Sequence, residues 1–262
     1  AEKAAEAREP THGISKVEAL AGETPPIYSG EASVYVLRAG VALVEAGQAD
    51  FLYLSLTDYI QHKFAPREEG ALKFYEALDM ELGRLTDLGC HLGITADHGM
   101  NAKCRPDGTP RVIYLEDELS KEFGEGNKVI CPITDPYVAH HGALGSYVTV
   151  HLAEPGQADE IAEWAGALEG VTEVLGKVQA AELLELPADR IGDLVVMSAA
   201  DTVLGRSPEH HDLSQLDRPL RSHGGRFETM VPFIFSSPLN AEYAAKAASD
   251  PRNFDVFDYV CN

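Results

Sequence analysis

The sequence predicts an α/β protein, with a largely parallel central sheet flanked by helices and a small inserted α+β lobe. Two observations carry this prediction. Short apolar runs of strand length alternate with longer segments whose apolar residues recur at helical spacing. Near the front of the chain two strand–helix–strand units follow one another, the order that favours a buried sheet with helices packed on it.

The elements can be justified in turn. Positions 31–47 place Val34, Leu37, Val41 and Val44 at helical spacing, and Gly47 can end the helix. The run Phe51-Leu52-Tyr53-Leu54-Ser55-Leu56 reads as a buried strand that stops at Thr57-Asp58. Residues 67–88 carry Ala71, Tyr75, Leu78, Leu82, Leu85 and Leu88 on one helical stripe closed by Gly89. A second strand, His91 to Ala96, ends at Asp97-His98-Gly99. Further strands are expected at 111–115, 129–133, 147–152, 171–175, 194–197 and 232–235, with Pro132 setting the second of these near an edge or an end. A helix over 158–168 presents Ile161, Trp164, Ala165 and Leu168, and a helical tail follows Leu239. The whole of 1–262 reads as one domain, and the strand–helix–strand stretch 145–190 is the candidate inserted lobe.

Composition narrows the function. The 262 residues hold 21 Lys+Arg against 42 Asp+Glu, a formal net charge of −21. Basic residues form no run, so neither nucleic acid nor an anionic membrane surface is an expected partner. A small anionic substrate remains compatible, because a bound dication reverses the local field. No apolar run approaches the roughly 20 residues of a membrane span, and the charged opening Ala1-Glu2-Lys3-Ala4-Ala5-Glu6 has no signal-peptide core. Cys90, Cys104, Cys131 and Cys261 lack a C-x-x-C spacing and are expected to be reduced, in a cytoplasmic protein.

The chemistry-bearing residues gather at strand ends, where open α/β sheets bind ligands. Asp58 ends one run and His62 follows four residues later, a spacing that puts carboxylate and imidazole on one helical face. Asp97-His98 ends another run. His223 lies in Arg221-Ser222-His223-Gly224-Gly225, where the glycines let backbone come close to a ligand. Taken singly, such residues are ordinary caps, turn residues or packed histidines. Two carboxylates and three imidazoles together make an oxygen and nitrogen donor set suited to Zn²⁺ and similar divalent metals. His140-His141 and His210-His211-Asp212 read as loops, the first with some claim to the rim of a pocket.

Three segments carry a family resemblance. They are Ser55-Leu56-Thr57-Asp58-Tyr59-Ile60-Gln61-His62, Thr95-Ala96-Asp97-His98-Gly99-Met100-Asn101 and Arg221-Ser222-His223-Gly224-Gly225. Their order and spacing resemble the alkaline phosphatase superfamily. With Asp135 to Tyr147 added, the chain looks most like the phosphonoacetate hydrolase family, over the C-terminal two-thirds of that fold. The resemblance implies two zinc ions, one held by Asp58, His62 and His223 and the other by Asp97 and His98. It implies zinc-dependent hydrolysis of the C–P bond of phosphonoacetate to acetate and phosphate, through a phospho-threonine intermediate.

The family's nucleophilic Thr, and an earlier Asp ligand, have no counterpart before Asp58. No catalytic nucleophile is therefore assigned within the chain; it is expected upstream of Ala1, and these residues alone are expected to be inactive. Lys63 and Lys103, just beyond the zinc motifs, are candidates to hold the substrate carboxylate. Alternative readings are a dizinc phosphodiesterase, nucleotide pyrophosphatase or phosphomonoesterase of the same superfamily, and a non-catalytic metal-binding fragment. The oligomeric state is open, with a homodimer among the options.

Overall fold

The computed structural model describes residues 3–133 and 143–262. Its strands are β1 (Gly93–Thr95), β2 (Asn101–Ala102), β3 (Val112–Tyr114), β4 (Lys128–Ile130), β5 (Tyr147–His151), β6 (Val171–Gly176), β7 (Leu194–Ser198), β8 (Val203–Gly205), β9 (Arg221–Ser222) and β10 (Phe233–Phe235). Its helices are α1 (Glu9–His12), α2 (Val17–Ala21), α3 (Glu31–Glu45), α4 (Tyr59–Lys63), α5 (Glu69–Asp87), α6 (Leu115–Phe123), α7 (Ala158–Gly166), α8 (Lys177–Leu184), α9 (Ala241–Ala247) and α10 (Val256–Val260). Two units divide the chain, Ala1–Asp97 with Val231–Asn262, and His98–Met230.

In the first unit α3 packs on α5. Helix α3 buries Tyr35, Leu37 and Val41. Helix α5 buries Ala71, Phe74, Glu81 and Leu85, so its inner stripe is rotated from the expected one and leaves Tyr75 and Leu88 exposed. Strand β1 pairs antiparallel with β10, and α10 lies against β1. Gly93 permits that approach, since a Cβ there would come within 2.9 Å of Val256 Cγ2. Buried Tyr259 closes an aromatic group with Phe233, Phe235 and Tyr243.

The second unit holds a four-stranded antiparallel sheet in the order β4-β5-β7-β6. Every residue of β7 is buried, because both sheet faces are covered. Leu194 and Val196 join Val148, Val150, Leu115, Leu119, Ile161 and Leu204 in one cluster, the side of α6 and α7. Val195 and Met197 join Leu175, Ala180 and Ile191 in the other, the side of α8. Positions 145–190 thus supply β5, α7, β6 and α8, while β4 and β7 come from outside that range. β4 lies at the sheet edge with Pro132 just past its end.

The α/β class stands, and two details differ from the sequence reading. Pairing among the described residues is mostly antiparallel, with β3–β8 the one parallel ladder. The run Phe51 to Leu56 forms no strand ladder there. It keeps the alternation of a strand, with Leu52 and Leu54 turned partly inward and Phe51 and Tyr53 61% and 73% exposed. Without a paired 51–56 strand, the strand–helix–strand order at the front of the chain does not produce a parallel pair among the described residues. All four cysteines are free. No described helix is long and apolar enough to cross a membrane.

Candidate metal centre

In the first unit the candidate residues follow the 51–56 run. Buried Ser33 of α3 anchors the turn, its hydroxyl accepting from Thr57 N at 3.1 Å. Asp58 then occupies the N-cap position of α4 with a non-helical φ of −93°. Its carboxylate makes no capping bond to the helix amides. Instead Oδ2 lies 3.0 Å from Nε2 of His62, one helical turn on, and His62 is buried. The alternative of a plain helix cap for Asp58 therefore fails: the side chain faces an imidazole. Lys63 ends α4 with Nζ 5.3 Å from the Tyr59 ring centroid. Asp97 follows β1 by two residues and is exposed, and the preceding carbonyl, of Ala96, accepts from Asn253 Nδ2 at 3.2 Å.

In the second unit His98 and His223 come together from opposite ends of that unit's sequence. Their rings stack with centroids 3.5 Å apart and planes 6° from parallel. The Nδ1 of His98 lies 3.0 Å from Gly99 O. A carbonyl can only accept, so Nδ1 carries the proton and Nε2 is the lone-pair nitrogen of the neutral ring. The short β2–β9 ladder pairs Asn101 with Ser222, which aligns the segments after His98 and before His223. Gly224 has φ +103°, a left-handed conformation that suits glycine.

Beneath these two loops lies a buried polar network. Lys103 is fully buried, and its Nζ donates to Ser146 Oγ at 2.6 Å, Ala200 O at 2.9 Å and Glu228 Oε1 at 2.9 Å. Burial pushes the Lys103 ammonium below its ordinary pKa, against the opposing hydrogen bond and charge of Glu228. The sequence reading places Lys103 beside the site as a contact for a substrate carboxylate. The structure instead gives its three N–H bonds to protein acceptors, the arrangement of an internal cation. Glu228, Ser146 and Asn101 carry no signal of their own in the sequence, although Asn101 closes the Thr95–Asn101 motif.

The remaining expectations divide. His140 and His141, with the Asp135–Gly142 part of the family motif, lie outside the described residues. The His210-His211 loop is less polar than it reads: His211 is buried and its Nε2 accepts from Arg206 N at 2.8 Å.

The donor chemistry fits a divalent metal. Asp58 with His62, and His98 with its Nδ1 fixed, offer carboxylate oxygen and imidazole nitrogen in oriented form. The model of the type I phosphodiesterase / nucleotide pyrophosphatase family matches residues 33–226. Crystal structures of phosphonoacetate hydrolase from Sinorhizobium meliloti, in complex with phosphonoformate and with phosphonoacetate, are each similar at a TM-score of 0.88 and 44% identity. The match covers 99% of this chain and 62% of theirs, so the chain spans less than two thirds of the protein it resembles. Murine ectonucleotide pyrophosphatase / phosphodiesterase 5 shares the fold at a TM-score of 0.52 and 22% identity, over 80% of this chain and 53% of that one.

Proposed function

Because the chain belongs to the type I phosphodiesterase / nucleotide pyrophosphatase family of the alkaline phosphatase superfamily, we propose that it forms the metal-ligating part of a hydrolase for phosphonoacetate. The products are acetate and phosphate. The observation that carries this reading is the 44% identity to phosphonoacetate hydrolase over 99% of the chain.

By the family resemblance we assign Asp58, His62 and His223 to one zinc and Asp97 with His98 to the other. Such ions, when bound, offset the negative charge of a phosphonate and favour attack on phosphorus. The chain's own residues supply orientation. The Asp58 carboxylate holds the His62 ring, and the Gly99 carbonyl holds the tautomer of His98. Hydrolysis breaks the P–C bond, adds the hydroxyl of water to phosphorus and a proton to the departing carbon. The carbanion that leaves is the enolate of acetate, so the substrate carboxylate needs a cationic contact. Lys63, at the end of α4, is our candidate for it. Lys103 acts from within the second unit, since its Nζ donates to three protein oxygens. The nucleophile, a Thr by family resemblance, is assigned to no residue of this chain. The widely spaced cysteines, without a C-x-x-C, favour a reducing compartment, the cytoplasm.

The family match also favours a second reading, a phosphodiesterase or nucleotide pyrophosphatase with the same metals. Product formation by the zinc-loaded full-length protein separates the two: phosphate is released from phosphonoacetate or a phosphomonoester, and a nucleoside monophosphate from a nucleotide diester. Turnover of phosphonoacetate faster than that of a nucleotide diester or a phosphomonoester is the expected result. Faster turnover of the diester would replace the first reading by the second. A zinc-loaded protein that turns over none of the three would leave a metal-binding protein without this catalysis.

A further inference from the structure

We propose that Glu228 is the positioning residue that fixes the imidazoles of His98 and His223 relative to each other; as an account of metal binding, this rests on the function proposed above. Glu228 is 2% exposed and bonds to both histidine loops. Its backbone carbonyl accepts from Gly99 N at 2.6 Å, one residue beyond His98. Its Oε1 accepts from Asn101 Nδ2 at 2.6 Å, three residues beyond His98. Its Oε2 accepts from Gly225 N at 2.9 Å, two residues beyond His223. One residue therefore holds the loop that follows each histidine.

Lys103 completes the tie from the other side. Its Nζ bonds both Glu228 Oε1 and Ser146 Oγ, and the Ser146 N–H donates to the carbonyl of His223 itself at 2.8 Å. The packing leaves little slack around these bonds. A Cβ on Gly225 would come within 2.8 Å of Ser146 Cβ and 3.3 Å of Glu228 Oε2, and one on Gly99 within 3.3 Å of Glu228 O. Outer partners that orient metal-binding histidines typically change metal affinity by about 10–100-fold when removed. The ties from Glu228 go to backbone amides and to the Asn101 side chain rather than to the rings, so its effect passes through the two loops.

The test uses Glu228→Ala and Asn101→Ala. Asn101→Ala removes one tie without leaving a buried charge unpaired, so it decides the question even where Glu228→Ala fails to fold. The first readout is the set of imidazole ¹⁵N resonances in metal-free protein, with His62 as internal reference. The second is Zn²⁺ affinity by chelator competition. We expect the His98 and His223 resonances to move while those of His62 stay, and Zn²⁺ affinity to fall about 10–100-fold. Resonances of His98 and His223 that remain at wild-type positions would overturn the proposal. So would moved resonances with unchanged Zn²⁺ affinity. A wild-type protein that binds no Zn²⁺ would instead overturn the metal reading, and the metal-free resonances would still judge the role of Glu228.

Discussion

The two candidate ligand pairs, Asp58 with His62 and His98 with His223, are built in opposite ways. Asp58 and His62 meet because a single helical turn brings positions i and i+4 together at 3.0 Å. That pairing is local, and it follows a segment whose Phe51 and Tyr53 are largely in solvent. His98 and His223 are 125 positions apart and stack at 3.5 Å because long-range ties hold them. Those ties pass through Lys103, Ser146 and Glu228, each 2% exposed or less. The difference teaches where fragility lies. A local pair survives disturbance elsewhere in the chain, whereas a pair held by a buried ionic network depends on every member of that network.

The largest expected effect breaks that network. Lys103→Met leaves the Glu228 carboxylate buried without its cation, and removing one partner of such a pair costs about 3–5 kcal/mol. Denaturant unfolding should show this loss, and the double variant Lys103→Met/Glu228→Gln should recover most of it. A single variant as stable as wild type would show that the pair is not a buried ionic contact in solution.

A smaller effect concerns acid. Burial alone would raise the Glu116 carboxyl, yet it sits below its ordinary 4.5 because Arg206 and the Val129 amide hydrogen-bond to it. A folded-state pKa below the unfolded one means stability is present above about pH 4.5 and lost as pH falls through the folded value. Glu116→Gln should therefore flatten the fall in stability of the second unit below about pH 4.5. It should also cost on the order of 1–3 kcal/mol at about pH 7, where the charged hydrogen bonds are intact. An acid limb identical to wild type would contradict this assignment.

The smallest effect belongs to the 51–56 run. Phe51→Ser removes an exposed ring, and exposed substitutions of this sort change stability by about 0.5 kcal/mol or less. Thermal unfolding of the variant checks it. A much larger loss would mean that Phe51 is covered in solution, and the contrast between the two regions would need redrawing.

The same contrast explains what is legible in the sequence. Helices α3, α5 and α7 and strands β1, β3 to β7 and β10 follow from apolar spacing, a property of neighbouring residues. The D-x-x-x-H pair is readable for the same reason. Strand direction is not, because pairing is decided by residues far apart, and an apolar run reads alike in parallel, antiparallel or unpaired settings. Strands β2 and β9 have two residues each, too short for any period to register. Glu228 carries no signal in the sequence, and Lys103 reads there as a substrate contact rather than as an internal cation. Their burial depends on residues from several separate segments, and no spacing within one segment encodes that.

The measurement that tests the account most directly is zinc binding by this chain and its variants, by equilibrium dialysis and metal analysis. The account predicts at least one tightly held equivalent, lost in His62→Ala and lost equally in His223→Ala, with both variants still folded. Zinc retained at wild-type affinity after His223→Ala, or no zinc bound by the wild-type protein, would contradict it.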